Sequence, residues 1–295
     1  MTETKLVTWW DEMPYDIAVV LPTRGRTDAL QKSLCSLLDL AADGTRVQYL
    51  IGMDDDDTET IKWAEETLFP SLEKYESPIH VFQFRRLGYE RLNEYVSTLA
   101  QRSSANWIMF WNDDAIMHTQ DWDRKIAAET GEFNVLRMPT HNEHPYAIFP
   151  IVPRDWLYLF GRLSPHQLSD AWISQVAFLI DIMKNVDIEV THARADITGE
   201  NDDETFKQRI MLEGNPDDPR DFNHTNWHNR RLDDAQKLAW FLHNKGRDMS
   251  WWKGVVEGKQ DPWERMHNEF DPNNQVSRIK KTKDEKWVTE ADNSD

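Results

Sequence analysis

Cysteine is almost absent from this chain. Cys35 is the one thiol among 295 residues, so no internal disulfide can form, and the class of small secreted domains held by disulfides is excluded. It falls among leucines in a helical pattern and is expected to be a buried core thiol. Long apolar runs are also missing. None approaches the roughly 18 residues that a membrane-crossing helix needs, and Met1–Pro14 has neither the basic start nor the apolar stretch of a secretion signal. The expectation is a cytoplasmic chain without a membrane span. Basic residues are scarce: 34 Lys and Arg stand against 52 Asp and Glu, a formal net charge of -18. That balance disfavours a protein whose main task is neutralising nucleic-acid phosphates, while leaving room for a local basic groove.

What is present suffices for a core. Hydrophobic residues make up 39% and there are 14 Trp, which excludes wholesale disorder. The length allows one large α/β domain or two small ones, at roughly 100–200 residues per domain. The apolar, β-branched run Ile17–Leu21 reads as a strand buried on both faces. Thr27 then caps a helix with Leu30, Leu34, Leu37, Leu38 and Ala41 on one face, stopped by Gly44. The unit repeats. Strand Val47–Gly52 precedes a helix opening at Thr58, strand Ile79–Phe84 precedes a helix marked by Leu92, Tyr95, Val96 and Leu99, and Trp107–Trp111 is a fourth strand.

Further on, Phe133–Met138, Ile148–Val152 and Val186–Val190 read as strands, and Asp170 precedes a helix containing Ile173, Val176, Ala177, Ile180 and Met183. Glu204–Leu212 and Asp233–His243 read as helices. The alternation predicts a Rossmann-like, mixed but mostly parallel sheet flanked by helices. The expected organisation is a domain over 15–195, a helical and loop-rich extension or lid over 196–271, and a polar, mobile tail over 272–295.

In such sheets ligands bind beyond the carboxyl ends of the strands. Three polar sequences fall there: Pro22-Thr23-Arg24-Gly25-Arg26, Asp54–Asp57 and Asn112-Asp113-Asp114. Acidic clusters of this kind suit a hard divalent cation, or equally a solvated loop. Arg24 and Arg26 suit a diphosphate, since guanidinium pairs bidentately with phosphate oxygens, or surface ion pairs with this acidic chain. Asp57 with Thr58 suits a helix cap.

Together these three sequences resemble the family 2-like glycosyltransferases of the GT-A fold, over about Ile17 to His192. The resemblance implies a donor site for a nucleoside-diphosphate sugar, with UDP-sugars favoured, made from Pro22, Thr23, Arg24, Arg26, Asp54, Asp55, Asn112 and Asp113. It implies Mn²⁺ or Mg²⁺ held by Asp114, with His192 completing the metal site. Asp54 or Asp55 would accept hydrogen bonds from the base or ribose. Asn112 stands where the Asp-x-Asp metal motif more often has Asp. In Leu168-Ser169-Asp170-Ala171-Trp172 the resemblance makes Asp170 the base of an inverting transfer, although Ser169 or Asp170 equally suits a helix N-cap.

The acceptor would be a glycan or another hydroxyl. Some bacteriophage relatives of this broad class glycosylate modified bases in DNA, and Arg209, Arg220, Arg230, Arg231 and the Lys-rich C-terminal positions would provide the groove for such an acceptor. Trp156, Tyr158, Trp172 and Trp227 suit either sugar stacking or the core. A nucleotidyltransferase of similar fold and an inactive nucleotide- or sugar-binding module are the alternatives.

Overall fold

The computed structural model describes residues 13–139, 146–192, 207–208, 215, 217–257, 279–281 and 287–289. Its main sheet has seven strands: β1 (Tyr15–Thr23), β2 (Val47–Asp54), β3 (Ile79–Phe84), β4 (Ala105–Phe110), β6 (Val135–Arg137), β7 (Ile151–Pro153) and β8 (Met183–Asn185). A short separate sheet pairs β5 (Ala115–Met117) with β9 (Val190–His192), and a ribbon pairs β10 (Ile279–Lys281) with β11 (Trp287–Thr289). The main sheet runs β3-β2-β1-β4-β7-β6-β8. The first four are parallel, β7 is antiparallel to β4 and β6, and β8 is parallel to β6. This is the mixed, mostly parallel α/β class expected from the sequence.

Strands β1, β2 and β4 read as largely apolar runs because both faces of the sheet are covered there, whereas the edge strand β3 is part-buried with His80 and Gln83 exposed. Along β1, Ile17, Val19 and Leu21 enter one core and Ala18 and Val20 the other, as the two-residue period of a strand requires. The first core packs against α1 (Thr27–Leu40) and α5 (Trp122–Ala127), and includes Ala64, Leu68 and Leu72 from the segment α2 (Thr58–Trp63), a π turn at Ala64–Leu68 and α3 (Phe69–Leu72). The second contains α4 (Leu92–Gln101), α6 (Arg154–Phe160), α7 (Ser169–Leu179) and the apolar face of α8 (Thr225–Asn244), with Trp252 from α9 (Ser250–Val256). Each fully buried aliphatic side chain contributes about 1.5–3 kcal/mol relative to exposure. Among the described residues no helix is long and apolar enough to cross a membrane.

Several local expectations are corrected. Gly25, at φ +66°, makes the turn, so Arg26 flanks α1 and Thr27 is its first helical residue rather than its cap. The helix ends at Leu40, before Gly44, because the Asp123 carboxylate takes the N–H groups of Ala42 and Asp43 at 2.7 and 2.9 Å. Cys35 is half-buried, not a core thiol. The segment Val186–Val190 is not one strand: β8 ends at Asn185 and β9 starts at Val190, since the chain leaves one sheet for another there. The apolar Val186 and Ile188 signal burial, not pairing.

Helix α8 begins at Thr225, eight residues before Asp233, because the His224 side chain accepts from Asn226 N–H and caps a first turn whose polar residues carry no apolar pattern. The expected helix Glu204–Leu212, with its Arg209, lies outside the described residues save for Lys207 and Gln208.

Candidate functional site

The loops after β1, β2 and β4 converge at the carboxyl edge of the sheet, and their side chains bond one another. Thr23 donates to Asp113 Oδ2 at 2.8 Å, and Arg26 Nη1 to Asp113 Oδ1 at 3.0 Å. Arg24 Nη1 donates to Asp54 Oδ2 at 2.9 Å and to Asp56 Oδ1 at 2.5 Å. The Gly25 N–H, turned inward by its positive φ, donates to Asp57 Oδ2 at 2.8 Å and Thr60 Oγ1 at 3.1 Å. Asp57 also caps α2 by accepting from Thr60 N–H, the role expected of it. Pro22, part-buried, sits beside Gly52 in the β1–β2 register.

Asp54 is buried and fully engaged: besides Arg24, its Oδ1 accepts the Tyr95 hydroxyl, which itself accepts the Leu87 N–H at 2.7 Å. Burial, with the Asp54 contact, pushes the Tyr95 phenol well above its ordinary range. The Asp54 carboxylate therefore clamps β2, α4 and the β1 loop together. Asp55 beside it is exposed. Tyr95 shows in the sequence only as an apolar helix position, and nothing in its spacing signals this bond.

At the end of β4 the turn is fixed from below. Ser33 of α1 donates to the Asn112 carbonyl at 3.0 Å and accepts from Trp111 Nε1 at 2.8 Å. Asp114 and His192 then meet, because the β5–β9 ladder sets His192 opposite Ala115. His192 Nε2 lies 3.1 Å from Asp114 Oδ1 and 3.4 Å from Asn112 Nδ2. Phe149 packs edge-on against the His192 ring, with centroids 5.1 Å apart, and lies tilted against Trp111 at 4.7 Å. The two carboxylates differ sharply. Burial raises Asp113 to about 6 despite Arg26, whereas at Asp114 the effect of burial is outweighed by the His192 contact, which holds it below its usual value.

Asp114 Oδ1 is buried without an aligned hydrogen-bond donor, next to an imidazole nitrogen. One carboxylate and one imidazole fit Mn²⁺ better than Mg²⁺, since Mn²⁺ accepts an imidazole nitrogen more readily. Among the described residues no group of three or more His, Cys, Asp or Glu is arranged to hold a metal. A cation here would take its remaining ligands from phosphate and water, as such ions commonly do.

Asp170 is brought to the same edge by a different route. Helix α4 descends from the carboxyl edge, and the chain after α6 climbs back along it: Gly161 O accepts from Gln101 Nε2, Leu163 N–H donates to Ser97 Oγ, and Ser164 O accepts from Asn93 Nδ2. It thus delivers the first turn of α7, with Asp170 half-buried, at the level of α4's start. Leu168, not Ser169 or Asp170, is the N-cap residue, and no side chain caps the helix. Asp170 is within electrostatic reach of Tyr146 and His166. Tyr146 lies three residues before Phe149, at most about 11 Å along an extended chain.

His166 supports that turn. Its Nε2 meets the Arg220 carbonyl at 3.0 Å and its Nδ1 accepts from Leu168 N–H at 3.2 Å, so the proton sits on Nε2 and the ring is neutral. Burial lowers its pKa to about 4. Trp156 and Trp172 are core side chains, Tyr158 is exposed and Trp227 part-buried. Of the residues expected to line a basic groove, Arg231 is buried under Phe222 and donates to its carbonyl, Arg220 pairs with Asp218, Arg230 is exposed, and Arg209 lies outside the described residues.

No protein-family model and no curated protein sequence matches the chain. Similar solved structures include S. aureus TarS 1-349 in complex with UDP-GlcNAc (12% identity, TM-score 0.44, 60% of this chain and 56% of that one). A mannosyltransferase of Pyrobaculum calidifontis in complex with GDP-Man and Mn²⁺ is similar at 12% identity and a TM-score of 0.46, over 88% of this chain and 86% of that one. GalNAc-T7 with UDP, GalNAc and Mn²⁺ is similar at 12% identity and 0.47, over 62% and 44%. The chain thus spans little more than half of that TarS chain and less than half of GalNAc-T7. At such identities and scores these likenesses decide nothing about the chemistry, which rests on the residues above.

Proposed function

We propose that this chain is a metal-dependent glycosyltransferase of the GT-A type that moves a sugar from a nucleoside-diphosphate sugar to an acceptor hydroxyl. The observation that carries the reading is the Asp114–His192 pair, a buried carboxylate oxygen without an aligned donor beside an imidazole, at the strand edge where Arg24 and Arg26 also stand. Asp114 and His192 would hold Mn²⁺. When bound, the cation supplies neutralisation of the diphosphate charge that grows as the sugar–phosphate bond breaks.

The chain's own groups account for the rest. Asp54 is committed to Arg24 and Tyr95, so the exposed Asp55 is the carboxylate we assign to the ribose or base. Thr23 holds Asp113 in place. Asp170, in the first turn of α7, takes the proton of the acceptor hydroxyl as that oxygen attacks the anomeric carbon, a single displacement that inverts the centre. A UDP-sugar is the donor and a glycan hydroxyl the acceptor in this reading, the burial of Arg231 weighing against a DNA groove.

The test is the shift in melting temperature produced by UDP, GDP, CDP, ADP and dTDP, each with Mn²⁺ and with chelator. A ligand confined to the native state raises its melting temperature by mass action. One nucleotide stabilising the protein only with Mn²⁺ supports the reading and selects the donors for turnover assays. No shift from any of the five at saturating concentration overturns it.

A further inference from the structure

The two arginines of the β1 loop are held differently. Arg24 is anchored to Asp54, itself buried and fixed by Tyr95, and to Asp56. Arg26 reaches the β4 carboxylates through Nη1, at 3.0 Å from Asp113 Oδ1 and 3.5 Å from Asp114 Oδ2. Its side chain is 32% exposed where those of Asp113 and Asp114 are 7% and 16%, so the guanidinium lies across the solvent side of the acid pair. The backbone under it is fixed, since Arg26 O accepts from Leu30 N–H at 2.9 Å in the first turn of α1. The first turn of α1 thus keeps the backbone in place whichever partner the guanidinium takes.

Charge then dictates an order. With Arg26 in place, a divalent cation approaching Asp114 would stand within a few ångströms of a positive guanidinium, beside carboxylates buried enough that water screens the repulsion only in part. A cation arriving with a diphosphate changes the balance, because the phosphate oxygens give Arg26 a bidentate partner in exchange for the carboxylates.

We propose that Arg26 is a displaceable counter-ion that occupies the Asp113–Asp114 pair in the absence of donor and passes to the diphosphate when donor and metal bind, making the two ligands mutually dependent. This rests on the donor-site reading above and adds to it a positioning residue and a binding order. By linkage, whatever factor the diphosphate adds to metal affinity, the metal adds to diphosphate affinity.

The experiment measures Mn²⁺ binding from the loss of the free-ion paramagnetic resonance signal, for the wild type, Arg26→Met and Arg26→Lys, and then titrates UDP, GDP, CDP, ADP and dTDP calorimetrically with and without Mn²⁺. Arg26→Met is expected to bind Mn²⁺ alone about tenfold more tightly than the wild type and to bind the nucleotide more weakly, so that the coupling falls. Arg26→Lys, which keeps the charge, should retain the wild-type order. Far-UV circular dichroism confirms that each variant is folded. Unchanged or weaker Mn²⁺ binding by folded Arg26→Met overturns the counter-ion role while leaving the donor site intact. Absence of Mn²⁺ binding by every protein, with every nucleotide, overturns the donor-site reading and this inference together.

Discussion

His192, at the end of β9, stands with its Nε2 3.1 Å from Oδ1 of Asp114, which lies in the turn just before β5, the partner of β9 in a two-stranded sheet separate from the main one. The β5–β9 ladder sets that contact by pairing His192 with Ala115. Asp114→Asn or His192→Ala is expected to abolish the Mn²⁺-dependent stabilisation by nucleoside diphosphate, with at least a tenfold loss of Mn²⁺ affinity, the low end of what disturbing a metal site costs. Thermal melts with and without Mn²⁺ check it. Retained metal-dependent stabilisation in both variants would remove the pair from the site.

Tyr95 and Asp54 form the second junction. Tyr95→Phe leaves a buried carboxylate oxygen and the Leu87 N–H without the hydroxyl, at a cost of about 1–3 kcal/mol. Urea unfolding with an unchanged m-value measures this directly. A loss below about 0.5 kcal/mol would show that water replaces the hydroxyl and that the clamp is dispensable.

His166 predicts a pH dependence whose sign is fixed. Its folded pKa is lowered to about 4, below the unfolded value of about 6.5. Between these values the unfolded chain binds a proton that the native ring refuses, so stability is complete above about 6.5 and falls as pH drops toward 4, by about 3 kcal/mol. Asp113, raised to about 6, has the opposite sign, its contribution fading as pH rises through the same window. The clean measurement is the difference between wild type and His166→Gln, whose amide can donate and accept as the neutral ring does. That difference should shrink as pH falls from 6.5 to 4, and a flat one contradicts the neutral assignment.

Asp170→Asn separates chemistry from binding. Loss of a general base lowers turnover about 10²–10⁴-fold, while the nucleotide-induced melting shift should persist, because nothing described at the Asp114–His192 pair depends on Asp170. Nucleoside diphosphate release from the selected donor is the readout. Turnover near wild type would exclude Asp170 as the base.

In the parallel half, β1 and β2 are legible to within two residues because both their faces are buried and they appear as largely apolar runs, while the part-buried edge strand β3 matches Ile79–Phe84 through its β-branched and aromatic residues. The second half was harder for a physical reason. Strands β6 to β9 are three residues each, too short for periodicity, and the buried Val186 and Ile188 imitate a strand where the backbone merely crosses between sheets. At the candidate site, the sequence placed Asp113 and Asp114 on the right edge, but the mutual pairing of Arg24 with Asp54 and of Arg26 with Asp113 depends on loop geometry. Arg231 misled because a cation stacked under an aromatic ring in the core has no distinct local pattern.

The reversal of β7 has a consequence for how such a protein can diversify. In a wholly parallel sheet, loops of the functional edge all follow strands and share one construction. Here the residues leading into β7, with Phe149 against His192, reach that edge from the opposite chain direction. Variation in that segment and in the approach to α7 can reshape one flank of the cleft while the loops of β1 and β2, locked by Arg24, Asp54 and Tyr95, keep their form. The two flanks are thus held by separate sets of contacts, Phe149 against His192 on one and Arg24, Asp54 and Tyr95 on the other.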